Sequence, residues 1–148
     1  MPSLLDWKRR WRLRRAPPGP LRDYLQQPFA HPRTDYRELE YLAIDLARVY
    51  ALSAGIPEIN TIERLQAAAE CGALSRDGSA NLIDALEFIG TLRMRHQARQ
   101  LRAGQKADNF VSPDALSPLE RGHLKEAFLL INTMQESLGQ RHQAGRFA

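Results

Sequence analysis

The chain has 148 residues, a formal net charge of +4, 43% hydrophobic residues and 26% charged residues. That length suits one domain with a sizeable core, and that balance is ordinary for a soluble globular protein. The excess cation is local: residues 1–15 carry +5 and the remaining 133 carry −1, so the high isoelectric point does not mark the whole chain as nucleic-acid binding.

Residues 2–15 can form a short helix with Leu4, Trp7 and Trp11 on one face and arginines around the rest. Such a piece either packs on the chain's own bundle or lies on an anionic surface, a membrane or a nucleic acid. The run Ala16-Pro17-Pro18-Gly19-Pro20 stops any helix, and Pro28 and Pro32 keep the connection extended. A strong helix is predicted from Asp35 to Ala54, with Asp35 and Glu38 as a cap pair and Leu39, Leu42, Ala43, Leu46, Val49 and Tyr50 forming a broad apolar face. Gly55 ends it and Pro57 prevents a restart. Asn60 and Glu63 stand in reciprocal capping positions for a second helix reaching Cys71, with Ile62, Leu65 and Ala69 inward and Arg64 beside them.

A long helix is predicted from near Ser79 to Ala103, closed by Gly104 as a left-handed residue. Leu82, Leu86 and Ile89 share one side by the 3.6-residue period. That side continues as Arg93, His96, Gln97 and Gln100, all within about 60° of the stripe's centre on a 100° wheel. A face that begins as core thus ends polar and cationic. Polar groups turned inward need partners, because leaving one unsatisfied costs on the order of 1–3 kcal/mol. Gln105 to Leu116 then reads as a polar loop, long for a helix–helix connection, carrying Asp108, Asn109 and Pro113. Ser117-Pro118-Leu119-Glu120 is a capping box with proline at the first helical position. Leu124, Ala127, Phe128, Ile131 and Met134 form the last stripe, which Gly139 can end.

Little in this chain supports independent catalysis. His31, His96, His123 and His142 show no metal-ligand spacing, and Cys71 stands alone, so neither a disulfide within the chain nor a metal site is expected. There is no G-x-S-x-G, no phosphate-cradling glycine loop, and no D-x-D pair after Gly78-Ser79 to hold the cations of metal-dependent nucleotidyl transfer. No apolar run is long enough to span a bilayer, and the basic run follows the first leucines instead of preceding an apolar segment. A cytoplasmic location is therefore expected. The groups suited to an anion or nucleotide are Arg93, Arg95, His96, Gln97, Gln100, Asn109 and Arg64. An equally physical alternative pairs Arg93 and Arg121 with Glu87, Glu120 or Glu126 to tie the two long helices together.

At these residues the chain resembles a known family. D-L-A-R-V-Y-A-L at Asp45–Leu52 and N-T-I-E-R-L at Asn60–Leu65 make one block. L-R-M-R-H-Q at Leu92–Gln97, Gly104, D-N-F-V-S-P at Asp108–Pro113 and L-S-P-L-E-R-G-H-L-K-E-A-F at Leu116–Phe128 make the other. Together they resemble the putative nucleotidyltransferase substrate-binding domain, a helical domain found behind nucleotidyltransferase domains in bacterial proteins and similar in arrangement to the protein-modifying uridylyl- and adenylyltransferases of nitrogen signalling. The resemblance implies a bundle packed beside a catalytic domain and contributing to its substrate cleft. The glycine-serine and paired-carboxylate motif of that catalytic domain is missing from this chain, so the activity does not carry over.

The reading is an all-α protein: an up-and-down antiparallel bundle of four main helices with short N-terminal helical pieces. Residues 1–33 form a basic arm and proline-rich connection, 34–140 the bundle, and 141–148 a polar tail. The expected role is a non-catalytic substrate-binding or regulatory module without a cofactor. Arg93, His96, Gln97, Gln100, Asn109 and Arg64 are the candidate contacts to a nucleotide or a phosphorylated or protein substrate. The expected partner is a separately encoded nucleotidyltransferase catalytic domain or a second copy of the chain. Nucleic acid or an anionic surface would be met only through residues 1–15. The alternative is a docking or dimerisation bundle that uses Tyr41, Leu52 and nearby apolar groups.

Overall fold

The computed structural model describes residues 34–144, apart from the side chains of 34, 38, 111, 113 and 142–144. The basic arm, the N-terminal helical pieces and residues 145–148 lie outside this range. The described chain folds as an all-α bundle: β1 (Thr34–Asp35), α1 (Tyr36–Ser53), α2 (Thr61–Glu70), α3 (Arg76–Arg102), β2 (Phe110–Val111), a 3-10 turn (Pro113–Ala115) and α4 (Pro118–Ala144). The two strands are two residues each and pair antiparallel, Thr34 with Val111 and Asp35 with Phe110.

The helix boundaries follow local chemistry. Asp35 caps α1 by accepting from the Arg37 amide at 2.9 Å. Asn60 caps α2 through the Ile62 and Glu63 amides, but Glu63 makes no return bond, so only half of the expected reciprocal box forms. Ser75 caps α3 at the Gly78 amide. At the far end, Gly104 has φ of 69°, the Gln105 amide donates to the Gln100 carbonyl and the Gly104 amide to the Leu101 carbonyl. This is the left-handed closure that glycine makes without steric penalty. The box at α4 is complete: the Glu120 amide donates to Ser117 Oγ and the Ser117 amide to Glu120 Oε2, an arrangement worth about 1 kcal/mol.

The core is one seam. Tyr36, Leu39, Leu46 and Val49 of α1, Leu65 of α2, Leu82, Ile89 and Leu92 of α3, and Leu124, Phe128, Ile131 and Leu138 of α4 are all buried. In α2 the inward small residue is Ala68, while Ile62 and Ala69 are only half-buried. The Ser79 hydroxyl, buried where α3 begins, donates to the Leu65 carbonyl at 2.8 Å, so this core polar group is satisfied.

The longest helices alternate in direction. Glu40 of α1 pairs with Arg93 of α3, and the charges of Arg95 and Arg99 reach Tyr36, so numbers rise in α1 as they fall in α3. Arg95 pairs with Glu120 and Phe88 stacks on His123 at 4.1 Å, which sets α3 and α4 antiparallel as well. Among the described residues, the ion pair linking the two 27-residue helices is therefore Arg95–Glu120, while Arg93 reaches α1 instead of α4.

Gly139 does not end the last helix. It lies inside α4, which runs on to Ala144. Glycine stops a helix where it adopts positive φ, and Gly139 does not; the residues after it are good helix formers and Leu138 is still buried. Opposite effects follow at two glycines. A Cβ at Gly139 meets nothing within 4 Å, so Gly139→Ala should stabilise the protein by about 0.5–1 kcal/mol. Gly104→Ala should destabilise it by about 1 kcal/mol, because alanine resists that φ. Urea unfolding of the two variants checks both signs.

Candidate functional site

The last turns of α3 carry the site. Arg93, His96, Gln97 and Gln100 are half-buried, whereas Met94, Arg95 and Arg99 between them and Leu101 after them are exposed. The side chains of Arg93 and His96 are 28% and 17% accessible, so the polar continuation of the apolar stripe does face inward.

What it faces is the loop after α3. His96 Nε2 lies 3.0 Å from Asp108 Oδ1, the Gln97 amide nitrogen donates to Asn109 Oδ1 at 2.9 Å, and the Asp108 amide donates to Gln100 Oε1 at 2.9 Å. The Asn109 carbonyl accepts from the Tyr36 amide at 3.0 Å, and Phe110 and Val111 pair with β1. The loop is thus bound to α3 on one side and to the start of α1 on the other. Asp108 also accepts from the Phe110 amide, closing a local turn.

Arg93 is placed differently. Its Nε stands 2.9 Å from Glu40 Oε2, near enough for an ion pair but not aligned for a hydrogen bond. Gly90 makes room for this contact, since a Cβ there would come within 3.0 Å of Glu40 Oε1. Arg64 does not join the group. Its Nε donates to the Glu58 carbonyl at 2.7 Å, fastening the chain that leads into α2. Its neighbour Leu65 meets Ser79, 17 residues before His96, which places Arg64 about 25 Å along α3 from the loop.

Tyr36 has no signal in the sequence, whereas Glu120 and Asp108 were legible there as a cap and a loop residue. Tyr36 is completely buried, and its hydroxyl has no hydrogen-bond partner among the described residues. Burial pushes its ionisation well above the usual phenol range, the Glu120 charge adds to this, and Arg95 and Arg99 oppose it. Glu120 is held below the ordinary carboxylate range by the Ser117 amide first and Arg95 next. Asp108 is held low chiefly by the hydrogen bond to His96, with the Phe110 amide assisting against burial. On the outer side of α3, Arg99 and Arg102 form no ion pair among the described residues, and with Gly90, Met94 and Ala98 they line a shallow open groove. Among the described residues no three His, Cys, Asp or Glu side chains are grouped to hold a metal ion, and no helix is long and apolar enough to cross a membrane.

The profile described as "Putative nucleotidyltransferase substrate binding domain" matches residues 41–142, a span that reaches from α1 to α4 and includes the loop. The chain belongs to this family. Among curated proteins and among solved structures nothing matches. As a nucleotidyltransferase substrate-binding domain it is a module associated with those enzymes. Its described surface places the polar end of α3, the loop and the first turn of α4 together at one end of the bundle.

Two outcomes are expected at this end. The carboxylates of Asp108 and Glu120 have lowered pKa values, so their stabilisation is complete above the unfolded carboxylate range and is lost as pH falls through the depressed folded values. Protection of the Phe110 amide, taken relative to the intrinsic exchange rate at each pH, should therefore fall on acidification more than protection in the α1 core, and Asp108→Asn should remove most of that difference. Tyr36→Phe keeps the ring and deletes a hydroxyl without a partner, so the melting temperature should hold or rise. A loss above about 1 kcal/mol would mean that a water or ligand serves that hydroxyl.

Proposed function

We propose that this domain is a non-catalytic substrate-binding or regulatory module serving a separately encoded nucleotidyltransferase domain. In this reading the polar end of α3 and its loop offer a cleft for a nucleotide or a phosphorylated group. The observation that carries it is the half-buried polar face of Arg93, His96, Gln97 and Gln100, closed over by Asp108 and Asn109.

The proposed roles follow from what remains unengaged. His96, Gln97 and Gln100 fix the loop. The terminal guanidinium nitrogens of Arg93 and the amide nitrogen of Asn109 make no hydrogen bond among the described residues, so these are the donors left to meet phosphate oxygens or a base edge. Arg64, far along the bundle, is proposed to contact substrate only if the substrate is a protein large enough to reach both ends.

A docking bundle without a small-molecule site is the second reading. It is favoured by large apolar side chains left on the surface, with Tyr41 and Leu52 each 44% accessible and Met94 and Leu101 each 64%.

Isothermal titration with a panel of nucleotides distinguishes the two. Under the first reading at least one nucleotide binds, and Arg93→Ala combined with Gln97→Ala weakens it at least tenfold, about 1.4 kcal/mol, while the helical circular dichroism is kept. Absence of binding across the panel, or binding indifferent to the double substitution, removes the proposed cleft.

A further inference from the structure

The charge of Arg93 is already balanced within the bundle. Its Nε is buried and stands 2.9 Å from Glu40 Oε2, with the two side chains 28% and 15% accessible. The terminal guanidinium nitrogens make no hydrogen bond among the described residues and are not buried. The pair therefore presents a fork of N–H donors that carries no net charge. Gly90 belongs to this construction, because a Cβ there would come within 3.0 Å of Glu40 Oε1 and press on the carboxylate.

The neighbouring arginines of these two helices turn elsewhere. On α3, Arg95 pairs with Glu120, and Arg99 stands about 120° round the helix from Arg93. On α1, Arg37 is turned to Tyr41, its Nε donating to the hydroxyl at 3.0 Å. The side chains beside Arg93 on its own face are uncharged amides, Gln97 about 40° and Gln100 about 20° away. Each keeps one amide atom outside its bond to the loop: the Gln97 oxygen, an acceptor, and the Gln100 nitrogen, a donor. Asp108, held on His96, brings a second carboxylate to the same side of the helix.

We propose that this site recognises the uncharged part of a nucleotide, the hydrogen-bonding edge of its nucleoside, and leaves the phosphates outside. The inference deepens the cleft reading above and rests on it. Its reason is electrostatic. A polyphosphate brought to the open nitrogens of Arg93 is attracted by the guanidinium and repelled by Glu40 at nearly the same distance, so the two effects largely cancel. It also gives up hydration that a neutral pair does not replace. An uncharged edge meets neither cost. Its acceptors face the Arg93 fork and the Gln100 amide, and its donors face the Gln97 oxygen. Glu40 is then a positioning residue: it holds Nε, turns the fork outward and sets the charge that a ligand meets.

Isothermal titration of the full chain with adenosine, guanosine, cytidine and uridine, each beside its triphosphate, tests the inference. At least one nucleoside should bind, and its triphosphate should bind less than about fivefold tighter at low salt. Glu40→Gln leaves the Arg93 charge uncompensated, so it should raise the preference for triphosphate over nucleoside about tenfold, and added salt should erase the gain. A merely structural role for Glu40 would weaken both ligands together and leave that preference unmoved. A wild-type preference for the triphosphate larger than about fivefold overturns the inference and leaves the cleft standing. So does an unchanged preference in folded Glu40→Gln; if that variant does not fold, the wild-type comparison decides by itself. Absence of binding by every probe removes the cleft and this inference together.

Discussion

A mismatch of length governs this structure. The α3 helix has 27 residues, about 40 Å, whereas α1 has 18, about 27 Å. The start of α1 lies near Arg95 and Arg99, and the start of α4 near Arg95, so α3 passes the end of α4 from His96 onward and that of α1 in its last turn. An apolar face there would have less helix to pack on. The inward stripe accordingly changes from Leu92 to His96, Gln97 and Gln100, and the polar loop folds back to supply partners. The loop is long because it must return over those turns, join β1 and still deliver the chain to the cap of α4.

This arrangement separates two kinds of arginine. Arg93 and Arg95 are drawn to carboxylates of neighbouring helices and bind the bundle together, Arg93 to Glu40 and Arg95 to Glu120. The latter pair is half exposed on the arginine side, so its value lies less in its own energy than in orienting a glutamate that also caps α4. Arg99 and Arg102, one and two turns further on, are exposed and form no ion pair among the described residues.

Much of the fold was legible residue by residue. The caps at Asp35, Asn60, Ser117 and Glu120 and the stop at Gly104 stand where their chemistry puts them. The apolar stripe of α4 from Leu124 to Met134 is buried as its period requires. Gly139 misled because its identity permits two conformations, and only the continued packing at Leu138 selects the helical one. The two-residue strands could not be read at all, since a period of two needs more than two residues to show itself.

Sequence alone determined that the inward face of α3 turns polar and that the following loop carries Asp108 and Asn109, because helical periodicity and residue type are local properties. The family was equally visible in its ordered blocks. Only tertiary structure decided that His96, Gln97 and Gln100 hold that loop, that Arg93 belongs to Glu40 of α1, and that Arg64 stands apart. Pairing across the bundle depends on the direction and offset of helices far apart in the chain, and no local pattern encodes which carboxylate a given guanidinium will meet.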